Sequence, residues 1–308
     1  MKKFLENFLE MQDYPRDAAI SLISDYEKLM ADPDEKALFD KYLGEYESND
    51  KTNFGEFVTL VGRESEKCGV HRFSAELIVF LCSAKHLREI YIKRELPAEI
   101  WHDSMLDMRY KLMECKKMHN IWGSFVASWF CGFFTLERFQ IGRLQYELSW
   151  HFATEGDLDI CGLKLEYHKT DLINLHIPSS GPLTDKAVYD SLRRAYKFFA
   201  KHLPKFLIDG KLVIECGSWL LFPDHEKFLP ENSNILAFMR HFDIVSSWYE
   251  DNFGDCWRIF NCDWSGDAST LPRETSLQRA YADWLGSGNR AGGGNGIIVY
   301  DGEKIINK

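Results

Sequence analysis

The sequence predicts an α+β chain of two parts, an all-helical N-terminal domain followed by a mixed α/β domain. Three observations carry this. Apolar positions recur at helical spacing through about the first 130 residues without a clear strand pattern, alternation with period two takes over from about Phe139, and one strongly amphipathic helix then interrupts the strands. With 308 residues, 45% hydrophobic and 27% charged, the chain is long enough for two folded domains and a sizeable core. The boundary is expected between residues 130 and 142, giving domains 1–135 and 136–308.

In the first part, "DPDEKALFDKYLGEYES" reads as a helix with Pro33 in its first turn. In "FSAELIVFLCSAKHLREIYIKREL", Phe80, Ala84, Leu87 and Tyr91 fall on one face, with Ser74 as N-cap, Leu77 opening the apolar stripe, and Pro97 interrupting the run. A further helix through "AEIWHDSMLDMRYKLMECKKMH" places Leu106, Tyr110, Met113 and Lys117 on a shared face.

In the second part, "RFQIGRLQYELSWHFA" alternates through Ile141, Leu144, Tyr146, Leu148 and Trp150 after an offset at Gly142 and Arg143. "GLKLEYHK", "DLINLHI" and "KLVIECGSWLLF" have strand character, and the connection "HIPSSGPLT" leads into the helix "DKAVYDSLRRAYKFFAKHLP". That helix buries Val188, Leu192, Ala195 and Phe199, carries Asp185 in its first turn and ends at Pro204. "NSNILAFMRHF" is a short helix capped by Ser233, while "DIVSSWYE" and "DCWRIFNCDW" read as aromatic strands. "GIIVYDGEKIINK" is two apolar runs around Asp301-Gly302, a tight-hairpin signal. The glycine-rich "GSGNRAGGGNG" lacks G-K-[ST] and precedes a strand, so it reads as a mobile loop that can close over substrate with Arg290 as its one charge.

A formal net charge of −10 argues against a nucleic-acid partner, which would demand a basic stripe. Eight scattered cysteines without C-x₂-C spacing read as reduced and mostly buried. Acidic residues break up the N-terminal apolar run that a signal peptide requires, and the longest uncharged stretch, Ile121 to Phe134, has 14 residues where a membrane span needs about 20. No membrane association and a cytoplasmic location are therefore expected, with the oligomeric state left open. His151, His168 and His176 fall in three expected strands, but no ligand spacing supports a metal, and none is expected.

Five motifs carry a family resemblance: "IGRLQYE", "HIPSSGPLT", "SWLLFP", "LPENSNILAFMRHF" and "LPRETSLQRAYADWLGSG". The sequence resembles a bacterial acyltransferase-domain family with a helical N-terminal domain and a GNAT-like (Gcn5-related N-acetyltransferase) C-terminal domain. The resemblance covers nearly all of the second half and implies a GNAT-like mixed α/β fold. It also implies acyl transfer from an acyl-CoA, with acetyl-CoA the expected donor, to a small-molecule amine or other nucleophile. A non-catalytic ligand-binding or sensor protein on the same scaffold is the alternative.

In GNAT-like enzymes a strand splays from its neighbour and the following loop turns backbone amides toward the pyrophosphate at a helix start. By this resemblance "DLINLHI" is that strand and "TDKAVYDSL" that helix. The cofactor-binding candidates are then Pro178, Ser179, Ser180, Gly181 and Thr184, with Thr184 as helix cap or extra hydroxyl donor and Arg193 and Arg194 serving the phosphates. The loop departs from the usual Q/R-x-x-G-x-G/A pattern, with one glycine and with Pro182 where an amide is wanted; a proline-stiffened turn with solvated serines has the same composition. An amine acceptor must lose a proton, so a base with a pKa near neutrality is needed. His176 is the first candidate and Glu215, a carboxylate in an apolar strand, the second; alternation can equally turn Glu215 to solvent. Arg143 and Arg279 either hold an internal carboxylate such as Glu147 or bind a substrate acid. Ser218 in "ECGSWLL" lacks the second glycine of a nucleophile elbow and is a poor hydrolase nucleophile.

Overall fold

A computed structural model describes residues 1–149, 156–167 and 169–307, with the side chain of Ser149 left aside. It separates into two compact units, Met1–Gln140 and Ile141–Lys308.

The first unit contains helices α1 (Lys2–Met11), α2 (Arg16–Ala31), α3 (Pro33–Asn49), α4 (Phe54–Glu64), α5 (Arg72–Lys93), α6 (Ala98–His119) and α7 (Cys131–Phe134). Helix α5 is its axis: every residue from Ser74 to Ala84 is buried, as a helix enclosed by others must be. Phe80, Ala84, Leu87 and Tyr91 are in the core as expected. The cap differs, because His71 accepts from the Phe73 amide at 3.1 Å while Ser74 lies inside the helix and its hydroxyl donates to Trp122 O at 2.9 Å. In α6 two apolar rows run one position apart. Packing selects Met105, Met108, Leu112 and Cys115, leaving Met113 and Lys117 exposed, a choice that periodicity alone does not make. Asp32 caps α3 by accepting from the amides of Asp34 and Glu35, with Pro33 at the first helical position.

Strand β1 (Arg138–Ile141) contains the unit boundary. The second unit continues with β2 (Leu144–Ser149), β3 (Leu158–Ile160), β4 (Leu163–Leu165), β5 (Leu172–His176), α8 (Asp185–His202), β6 (Leu207–Ile208), β7 (Lys211–Ser218), α9 (Asn234–Met239), β8 (Asp243–Tyr249), α10 (Cys256–Phe260), α11 (Ser276–Gly286) and β9 (Gly292–Tyr300). Its sheet runs β2-β5-β7-β9-β8, with β6 paired to β7. Only a crossover can join parallel neighbours, and α8 is the crossover between β5 and β7; β2–β5, β7–β9 and β8–β9 are antiparallel. Helix α8 buries Val188, Leu192, Ala195 and Phe199. The β3–β4 hairpin contributes Ile160, Leu163 and Leu165 to a cluster with Leu172, Val213, Ile297 and Val299 of the sheet.

Three readings are corrected. "DCWRIFNCDW" is not a strand: Cys256, Ile259 and Phe260 fall at i, i+3 and i+4 and turn together into a cluster with Tyr281 and Leu285, which makes the segment α10. After Tyr300 the tight turn forms, with Asp301 accepting from the amides of Glu303 and Lys304, but the second run makes a single bridge, Tyr300 to Ile305. The glycine run is no mobile loop from Gly292 onward, because Gly292 to Gly296 belong to β9. A Cβ on Gly292 would lie 2.3 Å from Trp248 O, on Gly293 2.3 Å from the Trp248 ring, and on Gly294 2.3 Å from Leu221 O. Neighbours fill the space of the missing side chains, which is a reason for glycine in a strand that composition does not reveal.

Candidate functional site

Directly paired residues on neighbouring strands point to the same face. Glu147 of β2 pairs with Asn174 of β5, and Asn174 with Glu215 of β7, so a carboxylate, an amide and a carboxylate form one row across three strands. One step further along, Gln145 pairs with His176, which shares Asn174's face two residues on. The cluster under the β3–β4 hairpin includes Leu172 and Val213, two residues before Asn174 and Glu215 on the same face, so the polar row begins where that apolar cover ends. Pairing of β5 with β7 covers Ile173–Ile214 and Asn174–Glu215, yet β5 runs on to His176 and β7 to Ser218. The two parallel strands thus extend past their last pair at the end that carries the polar groups.

His176 Nε2 and Glu147 Oε2 are 2.8 Å apart, both side chains about a quarter exposed (23% and 25%). An ionised carboxylate can only accept, so with Glu147 ionised the proton shared by the pair belongs to Nε2. Glu215 is buried (5% exposed), which settles its orientation against solvent, and Gln145 is more so (1%).

Beyond His176 the chain turns through Ile177 to Thr184 into α8. The Thr184 hydroxyl accepts from the Ala187 amide and caps the helix. Pro178 is buried, Ser179 and Gly181 are exposed, and Gly181 has φ +106°, a conformation that favours glycine. Among the described residues, the amides of Ser180, Gly181 and Leu183 form no hydrogen bond. Arg143, in the two-residue turn before β2, donates from Nη1 to Pro178 O at 2.7 Å and to the Ser180 hydroxyl at 3.2 Å, and from Nε to Pro182 O at 3.4 Å. Arg193 pairs with Asp190 at 2.6 Å, and Arg194 Nη1 lies 3.2 Å from where Gly142 would carry a Cβ.

Arg279 donates to the carbonyls of Arg273 and Glu274, and Ser218 accepts from the Leu220 amide at the start of a short turn. His151 and His168 lie outside the described residues. Among those described, Glu47, His86 and Glu89 of the first unit bring three ligand atoms within 4.8 Å of one another, with Lys85 Nζ 3.9 Å from Glu89 as a competing cation. All eight cysteines are free thiols; Cys82, Cys115, Cys216 and Cys256 are buried and Cys161 is exposed.

Gln145 and Asn174 escaped the reading of the sequence, and Glu147 entered only as a partner for an arginine. The signal was present: "LQYELS" and "LINLH" each carry polar residues two apart on a single strand face.

Residues 3–136 match the N-acyltransferase N-terminal domain family, and residues 138–298 match the GNAT-like C-terminal domain family. The chain belongs to the GNAT-like C-terminal domain family. Solved structures of the same fold include an acyltransferase in complex with decanoyl-CoA, 21% identical with TM-score 0.71 over 94% of this chain and 86% of that one. An acyltransferase in complex with decanoyl-CoA and teicoplanin is 20% identical, with TM-score 0.69 over 96% and 87%. A mutant acyltransferase in complex with octanoyl-CoA is 21% identical, with TM-score 0.69 over the same shares. No curated protein matches. The protein thus has the GNAT-like acyltransferase fold with a helical N-terminal region, and no described helix is long and apolar enough to cross a membrane.

Proposed function

We propose that this GNAT-like protein transfers an acyl group from an acyl-CoA thioester to an amine by direct attack. The observation that carries the reading is the His176–Glu147 pair at the parting of β5 and β7, one turn of chain from a loop with three unbonded amides. Backbone amides before a helix start suit a pyrophosphate without requiring a basic side chain. The loop residues Pro178 to Gly181 and the Thr184 cap fit that role, with Arg193 and Arg194 a little over two turns into α8 adding positive charge. The Leu183 amide supplies a donor beside Pro182, which has none.

In the reaction the amine nitrogen attacks the thioester carbonyl, its proton passes to His176 directly or through water, and the tetrahedral intermediate expels the CoA thiolate, which leaves as the thiol once protonated. Glu147 holds the imidazole in the Nε2–H form and stabilises the imidazolium. Glu215, buried in the same row, is the second candidate base. Acetyl-CoA is the donor expected from the sequence, while similar structures hold octanoyl-CoA and decanoyl-CoA, so a donor panel should span all three.

Acyl-CoA at millimolar concentration is expected to raise the melting temperature, and His176→Ala to slow CoA release with an amine panel by about 10²–10⁴-fold with the fold intact. No thermal shift with any donor would overturn the cofactor assignment. A thermal shift without turnover would favour the non-catalytic alternative, which the loop's departure from the usual glycine pattern supports.

A further inference from the structure

We infer that Arg143 is the positioning residue of the 178–183 loop, setting the direction in which its amides face; this rests on the acyl-CoA reading above. Within a trans peptide the carbonyl and the following N–H point in opposite directions, and the chain has no cis bond among its described residues. Arg143 holds Pro178 O at 2.7 Å, so the Ser179 N–H on the far side of that peptide points away from the guanidinium. It also holds Pro182 O at 3.4 Å, so the Leu183 N–H points away as well. One planar group therefore gathers a carbonyl from each end of the loop, together with the Ser180 hydroxyl, onto its own side.

The bonds span five residues that include two prolines and a glycine at φ +106°. Such a segment has no ladder partner to fix it, and unclamped carbonyls would be free to turn toward the phosphate and repel it. The guanidinium suits this task because its donors lie in one plane at fixed angles, whereas a lysine is a single point donor. Position follows from register: Gln145 pairs with His176, so the residues two further out, Arg143 before β2 and Pro178 after β5, meet beyond the end of that ladder.

Arg143→Ala, Arg143→Lys and wild type are compared in calorimetric titrations with coenzyme A at several salt concentrations, with melting temperatures recorded alongside. Arg143→Ala should weaken CoA binding about 10- to 100-fold, with the kinetic loss falling mainly on KM for acyl-CoA, and Arg143→Lys should recover part of it. Because the residue acts on carbonyls, the salt dependence of binding should keep its slope in the alanine variant. Loop amides should also exchange hydrogen faster in that variant. Should Arg143→Ala fail to fold, the lysine variant carries the comparison alone, and affinity equal to wild type overturns the inference. Unchanged binding by folded Arg143→Ala, or a salt slope that falls with the affinity, as a direct phosphate contact gives, also overturns it. Absence of CoA binding by the wild type overturns the acyl-CoA reading itself, a result distinguishable from equal binding by both proteins.

Discussion

His176 is the base proposed for the transfer, and its contact with Glu147 gives the sharpest test of that proposal. Glu147→Gln is nearly isosteric, but its amide can present either a donor or an acceptor to Nε2 and so releases the imidazole from one tautomer. Its kcat/KM should fall by about tenfold or more with little change in melting temperature. A variant as active as wild type across the pH profile would show that the pair is structural. His176 was legible in the sequence because it ends an apolar strand before a proline-rich turn. Glu147 was legible only as a carboxylate for an arginine, and its contact with His176 was not, since pairing across β2 and β5 depends on a register that no single-strand pattern contains. Arg143 stands out in the motif "IGRLQYE" as a residue for an internal carboxylate or a substrate acid, and its hold on the loop carbonyls is not legible there.

At the scale of elements, helices with strong periodicity and caps were readable: α8 with Thr184, α9 with Ser233 and α3 with Pro33 all stand as expected. Misreadings came where composition imitates another state. Strand β9 opens with three consecutive glycines, a flexible-linker composition, yet it is hydrogen-bonded on both sides by β7 and β8. Gly294→Val should therefore be strongly destabilising, because its Cβ would meet backbone, Leu221 O, at 2.3 Å and not a side chain that can swing away. A loss of about 1–3 kcal/mol is expected from such overpacking, read as a lower urea midpoint. A midpoint equal to wild type would mean that β7, β8 and the Trp219–Leu221 turn can move apart without cost.

At the scale of the whole molecule, the two units should respond to pH in opposite directions. His225 in the second unit is fully buried among Trp219, Phe222, Phe228 and Tyr281, with Nε2 hydrogen-bonded to the Tyr281 hydroxyl, and burial pulls its pKa down to about 4. An unfolded chain takes up this proton near pH 6.5 and the folded one does not, so the second unit loses stability as pH falls from 6.5 to 4, by up to roughly 3 kcal/mol. Glu35 in the first unit is raised to about 7, first by burial and then by Asp32 and Glu64. Here the folded state holds the proton longer, so stability falls as pH rises from about 4.5 to 7 and stays reduced above. Glu35→Gln should remove that loss, raising the stability of the first unit at pH 8 by about 1–2 kcal/mol and having little effect at pH 4.5. Urea unfolding at both pH values checks this; an equal effect at both would show that the carboxyl is not held protonated.

The place of β9 in the sheet also governs when each unit can fold as the chain is made. The helical unit is assembled entirely from residues up to Gln140 and can form while the remainder is still being synthesised. In the second unit β7 and β8 have no bond to each other until β9 arrives between them, some forty residues after β8 ends. Until then β7, paired with β5 on one side, keeps its other edge bare. The interval between the emergence of β7 and of β9 is therefore the period in which a nascent chain is most open to mispairing, and the stretch that closes it is the run of glycines.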